Sequence, residues 1–209
     1  MMNIQLEKPV FYRNEFALRF ELGPDDVDIW LDDDRTNYNE QYFEIAMSRA
    51  LSIYEEAFKP SDKIKVCYQI FSDGRKKIRK SDYFFKLFKP LCGKSIEFSE
   101  HRDIYTEDLE FKRHCWKRVT ISGVDVSELN IKPIIQACID GDFGDRGPTL
   151  AGQLFIFNCD KELVYHLYDD RGLDVAASSQ WDLEDLYQNQ NQLLLDYDKQ
   201  YMDSLFKRI

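Results

Sequence analysis

Three apolar runs late in the chain, Gln153 to Asn158, Glu162 to Tyr168 and Leu173 to Ala177, are separated only by Cys159-Asp160-Lys161 and by Asp169-Asp170-Arg171-Gly172. A parallel crossover needs a dozen or more residues, so connections this short force the three strands into an antiparallel meander. No Gly-x-Gly-x-x-Gly stands between a strand and a helix to hold a dinucleotide. The expected architecture is therefore α+β: a mainly antiparallel sheet of mixed topology, carrying the 153–177 meander and packed by about three helices. With 209 residues, 44% of them hydrophobic, the chain can bury one sizeable core, and residues 1–209 are read as a single domain.

Other elements follow from periodicity. Phe16, Leu18 and Phe20 alternate with Ala17, Arg19 and Glu21, the pattern of a half-buried strand stopped by Gly23-Pro24. From Glu40 to Phe58 the apolar residues recur at spacings of three and four, with Asn39 placed to cap and Pro60 just beyond the end, which predicts a helix. Ile64 to Ile70 alternates, and Ser72-Asp73-Gly74 turns the chain, which predicts a hairpin with Tyr83 to Phe88 as return arm or, alternatively, as the start of a short helix. Ile96 to Phe98 and Trp116 to Ile121 read as strands around a charged, exposed connection from Glu100 to Arg113. Asn130 to Ile139 reads as a short amphipathic helix that tolerates Pro133 in its first turn. Gln180 to Phe206 reads as helical, capped by Ser178 or Ser179 and open to interruption at Asn189-Gln190-Asn191.

The formal charge of −10 bears on partners. Binding to a phosphate backbone draws on clustered Lys and Arg, so an acidic chain does not fit general nucleic-acid binding and fits a basic protein better. The charge is uneven: Asp25, Asp26, Asp28, Asp32, Asp33 and Asp34 crowd one segment, while Arg75, Lys76, Lys77, Arg79 and Lys80 form a basic run. Such runs serve most simply as solvated faces. No apolar run approaches the roughly 18 residues that span a bilayer, and no secretory leader is recognisable, so the expectation is a cytoplasmic protein without a membrane role. The five cysteines, at 67, 92, 115, 138 and 159, contain no Cys-x-x-Cys pair and read as buried reduced thiols. His114-Cys115 and His101 with Cys92 lack the pairing that a closed zinc site needs, so no metal or cofactor is expected. His166, on an apolar strand, reads as a packed core histidine.

The run Tyr165-His166-Leu167-Tyr168-Asp169-Asp170-Arg171-Gly172-Leu173-Asp174-Val175-Ala176 takes an apolar strand through an Asp-Asp-Arg-Gly corner into another. With Arg19-Phe20-Glu21-Leu22-Gly23 before it and Leu195-Asp196-Tyr197-Asp198 after it, the chain resembles, from about Phe16 to Phe206, the bacterial family known as "domain of unknown function 3885". The resemblance implies a Rossmann-like label, which the loop lengths contradict, and it brings no settled activity.

The corner has a plain structural explanation. Aspartates accept backbone N–H bonds in turns, Gly172 would supply a positive φ, and Arg171 would neutralise a neighbouring carboxylate. A functional alternative joins Asp169, Asp170 and Asp174 to Asp140, Asp142 or Asp145, with Arg146, from the glycine-rich stretch Gly141 to Gly152, as oxygen ligands for Mg²⁺ or Mn²⁺ in a hydrolase or nucleotide-binding domain. No Lys or His completes a nuclease constellation, Asp32-Asp33-Asp34 fails the calcium-loop pattern, and no Gly-x-Ser-x-Gly elbow exists. Arg19 and Glu21 are expected to pair with sheet neighbours, and Asp196 and Asp198 to be helix-surface charges. The leading expectation is a binding protein: an immunity protein neutralising a basic bacterial toxin, most simply a nuclease, through Asp25 to Asp34 with Trp30 and Tyr38 as aromatic anchors. A homo-oligomeric housekeeping module is the third reading.

Overall fold

Connection lengths dictate the centre of the sheet, and the rest is arranged around it. The computed structural model describes residues 4–6, 9–72, 75, 77–79, 81–88, 93–101 and 116–206. Its strands are β1 (Phe16–Glu21), β2 (Lys63–Phe71), β3 (Ser95–His101), β4 (Trp116–Asp125), β5 (Gln153–Asn158), β6 (Leu163–Leu167) and β7 (Gly172–Ala177). They form one sheet in the order β1-β7-β6-β5-β2-β4-β3, and every pairing is antiparallel. The meander β5-β6-β7 is present as expected, and the fold is α+β with a single core.

The helices are α1 (Val10–Arg13), α2 (Glu40–Ala57), α3 (Phe84–Leu87), α4 (Ile131–Ile139), α5 (Glu184–Asn189) and α6 (Asp196–Phe206). Asn39 caps α2 as predicted, its side chain accepting from the Gln41 N–H at 3.2 Å. Tyr165 of β6 donates to the Ala50 carbonyl of α2 at 3.0 Å, while Tyr165, Leu167, Leu154 and Ile156 meet Ile134 and Ile135 of α4. The alternate face carries His166, buried as expected, stacked on Phe155 at 4.3 Å with its Nδ1 at 2.9 Å from the Leu154 carbonyl. β6 and β7 are buried at every position, whereas β3 is mostly exposed.

Three expectations need correction. β2 has no hairpin partner in 83–88; its neighbours are β4 and β5, and Phe84–Leu87 is one helical turn that stacks Phe84 on Tyr68 at 4.6 Å. The C-terminal part is broken more than one interruption implies: 3₁₀ turns at Gln180–Leu183 and Asn191–Leu193 bracket α5. Cys67 and Cys138 are buried free thiols, with burial pushing Cys67 up to about 11, but Cys159 is exposed in the β5–β6 turn. Cys92, His114, Cys115, Asp73, Gly74, Lys76, Lys80 and most of the charged connection lie outside the described residues.

Beyond β1 the sheet is closed by the C-terminal segment. Leu195 N–H donates to the Arg19 carbonyl at 2.9 Å, Leu194 bridges Phe20, and the Arg19 N–H points at Met202 Sδ at 3.2 Å. An edge that would offer unpaired backbone groups is thus covered.

Candidate functional site: an acidic end of the sheet

Antiparallel order places the C-terminal ends of β1, β6 and β2 beside the N-terminal ends of β7 and β5. The segments leaving that end are therefore the acidic loop after β1, the β6–β7 corner and the glycine-rich stretch before β5. Sequence-distant aspartates are gathered there by topology.

The acidic loop is built as a small closed unit. Leu31 N–H donates to the Asn37 carbonyl and Asn39 N–H to the Ile29 carbonyl, both at 2.8 Å, and Trp30 stacks on Tyr38 at 4.4 Å. Asp32 holds the tip: it accepts from Thr36 N–H at 2.8 Å, Asn37 N–H at 2.9 Å and both side chains, and the Thr36 N–H above all holds its carboxyl below the usual range. Asp25, Asp26, Asp28, Asp33 and Asp34 remain exposed. Pro24, Asp25, Asp28, Trp30, Asp33 and Tyr42 line a concavity of about 730 Å³.

The glycine-rich stretch docks against this loop. Tyr38 Oη donates to Asp145 Oδ1 at 2.6 Å. Arg146, its side chain 9% exposed, donates to Asp140 at 2.9 Å and to both Glu40 oxygens at 2.6 and 2.9 Å, with its guanidinium 3.5 Å from the centre of the Phe43 ring. Phe143 meets Tyr38 and Phe43 edge-on.

At the corner, Asp169 accepts from the Arg171 N–H at 2.9 Å and from the guanidinium of Arg171, itself largely exposed. Asp170 accepts from Tyr42 Oη at 2.7 Å. Burial raises the Asp170 carboxyl above its ordinary value, and the neighbouring Asp169 adds to the shift. One carboxylate oxygen from each of Asp142, Asp169 and Asp170 lies within 4.8 Å of the others, the set among the described residues that could hold a divalent ion. The structure thus brings Asp142 to the corner as the metal reading required, while Asp140 and Asp145 are engaged elsewhere and Asp174 faces away.

Gly172 does not take a positive φ, contrary to expectation. A Cβ there would stand 2.8 Å from the Phe20 carbonyl and closer still to the Tyr168 hydroxyl, so glycine is required by close approach. At Gly23 a Cβ would meet only the end of the Tyr42 side chain, which would have to shift.

Arg19, Asp174 and Asp198 form a separate, interior network. Arg19 donates to Asp174 through Nε at 2.9 Å and Nη2 at 3.3 Å, and reaches Asp198 through Nη1 at 3.4 Å. Phe11 N–H also donates to Asp174, at 3.1 Å, and Tyr12 Oη to Asp198, at 2.9 Å. Arg19 pairs with its sheet neighbour as predicted, but Asp198 is not a surface charge: it is 7% exposed, because α6 turns it inward against β1. Asp196 is exposed; Glu21 lies near Asp25, Asp196 and Arg49, and burial raises its carboxyl.

The family model described as "Domain of unknown function (DUF3885)" matches residues 2–198. The chain belongs to that family. No curated protein and no solved structure matches it. Within this member, each of the three quoted motifs supplies one member of the Arg19–Asp174–Asp198 network, while Gly23 and the Asp169-Asp170-Arg171 corner border the acidic end. Sequence reasoning missed Tyr42, Glu40 and Phe143, which read as ordinary residues of a helix and a loop. No helix among the described residues is long and apolar enough to cross a membrane.

Proposed function

We propose that this chain is a binding protein of the immunity type, which neutralises a basic bacterial toxin, most simply a nuclease, by seating the toxin's cationic surface on the acidic end of the sheet. The observation that carries the reading is the convergence of separate acidic segments on one end: the loop bearing exposed Asp25, Asp26, Asp28, Asp33 and Asp34 is joined to Asp145 through Tyr38, and Asp142 meets the Asp169-Asp170 corner. The concavity is predominantly acidic, with Arg35 as the cation on its wall, and such a surface steers an oppositely charged partner and speeds its encounter. Trp30 supplies an aromatic wall to the concavity, and Tyr38, stacked on it, holds that wall in place.

The test is rescue in a bacterial host. The C-terminal domain of the product encoded immediately upstream is expressed with and without this chain, and survivors are counted. Rescue with a stable complex, lost when Asp25, Asp28 and Asp33 are all changed to Asn, supports the proposal. A harmless upstream product, or equal killing in both cultures, sinks it.

A second reading, a metal-dependent hydrolase, draws on the approach of Asp142, Asp169 and Asp170. Against it, Asp169 is already engaged by Arg171 and Asp170 by Tyr42. Calorimetric titration with Mn²⁺ separates the readings: saturable binding abolished by Asp169→Asn favours the hydrolase, and no heat removes it.

A further inference from the structure

We infer that the glycine-rich stretch is a strap, fastened to the acidic loop by Arg146 and Tyr38, and that the two segments open together. The inference concerns the free chain and stands or falls apart from any partner.

The first half of the strap, residues 141–146, has little backbone cause to stay where it is. Its hydrogen bonds are short-range turns, Phe143 N–H to the Asp140 carbonyl at 2.9 Å and Arg146 N–H to the Phe143 carbonyl at 3.0 Å, and the next anchor is Leu150 N–H on the Ala137 carbonyl of α4 at 3.2 Å. At Gly141 and Gly144 a Cβ would meet nothing within 4 Å, and neither residue takes a positive φ. Glycine there serves neither close packing nor a left-handed turn; its effect is to enlarge the set of conformations open to the segment once released.

What holds residues 141–146 beyond those turns is side-chain chemistry, and apart from Asp140 at the base of the stretch it lands on the start of α2 or on the acidic loop. Arg146 is bound by Asp140 at its own base and by Glu40 in the first turn of α2, and lies on Phe43. Phe143 packs edge-on against Phe43 and Tyr38, and Asp145 accepts the Tyr38 hydroxyl. Tyr38 is the shared member, because its other face stacks on Trp30 and its backbone bridges Trp30 across the acidic loop. Releasing Arg146 frees the strap, takes Asp145, Phe143 and Arg146 itself away from Tyr38 and loosens the Trp30 side of the acidic loop. Asp142, carried on the strap, then leaves Asp169 and Asp170. Arg146 is thus a positioning residue for the acidic end.

Native-state hydrogen exchange of the full chain, read peptide by peptide, tests this. Arg146→Met is expected to speed exchange roughly tenfold in 141–152 and also in 24–38, with β5, β6 and β7 unchanged. Tyr38→Phe, a milder change that serves if Arg146→Met does not fold, is expected to speed the same two segments by a smaller factor. Gly144→Ala is expected to slow both. Faster exchange confined to 141–152, or no change in either segment, overturns the inference.

Discussion

Two groups of carboxylates lie on either side of Gly172 and are treated in opposite ways. Asp174 and Asp198 are taken into the interior, where a guanidinium, a backbone N–H and a phenol hydroxyl meet them. Asp142, exposed on its loop, meets Asp169 and Asp170, which are buried at 9% and 2% exposure beside one largely exposed arginine, and burial plus Asp169 work against the charge on Asp170. The first arrangement is what a fold does with charge it needs for its own integrity. The second keeps like charges together at a cost, which is intelligible where the charge serves something outside the chain.

The sharpest way to break the comparison is Arg19→Ala. Removing one partner of a buried ion pair leaves the others charged without compensation, so a loss of about 3–5 kcal/mol is expected in denaturant unfolding. A loss near that of an exposed pair, under about 1 kcal/mol, would remove the contrast between the network and the corner. Gly172→Ala, between the two groups, is expected to cost about 1–3 kcal/mol through overpacking against the Phe20 carbonyl and the Tyr168 hydroxyl. Tyr168→Phe in the same chain should recover only part of that, since the carbonyl stays.

Asp170→Asn is expected to act in the opposite direction, raising stability at neutral pH by about 1 kcal/mol or less. The sign follows from linkage: the folded carboxyl is raised above its unfolded value, so ionising it disfavours the fold. Stability should therefore be lost as pH rises from the unfolded carboxylate range through the folded value, and regained on acidification across that window. The Asn variant should lack this component, which unfolding curves across the window would reveal. The smallest effect belongs to Asp25, Asp28 and Asp33: changing all three to Asn should alter stability by no more than about 0.5 kcal/mol each. Their loss should appear as slower, less salt-sensitive association with a basic partner.

How far this was readable in advance depends on the range of the signal. The meander, the α2 helix with its Asn39 cap and the first strand carry their signal within a few neighbouring residues. The return arm of β2 did not, because Tyr83-Phe84-Phe85 suits a strand or a helical turn equally and stacking on Tyr68 decides it. Asp142 and the corner were named as possible companions from residue type alone, and their meeting depended on sheet order. Asp198 was misread because α6 is amphipathic in an unusual way, with a carboxylate on the buried side that finds its reason in Arg19 on a distant strand. Gly172 was placed rightly but for the wrong cause, since close approach across a sheet leaves no trace in the local sequence.

The position of β1 has a consequence for how the chain is made. Among the described strands it is the first to be made, yet Phe16 pairs with Ala177 on one side and the Arg19 carbonyl receives Leu195 on the other. Both flanks arrive only after β2 to β6 have been made. Until then Phe16, Leu18 and Phe20 wait with neither neighbour, so β1 joins the sheet late and its apolar residues are exposed to wrong partners in the meantime.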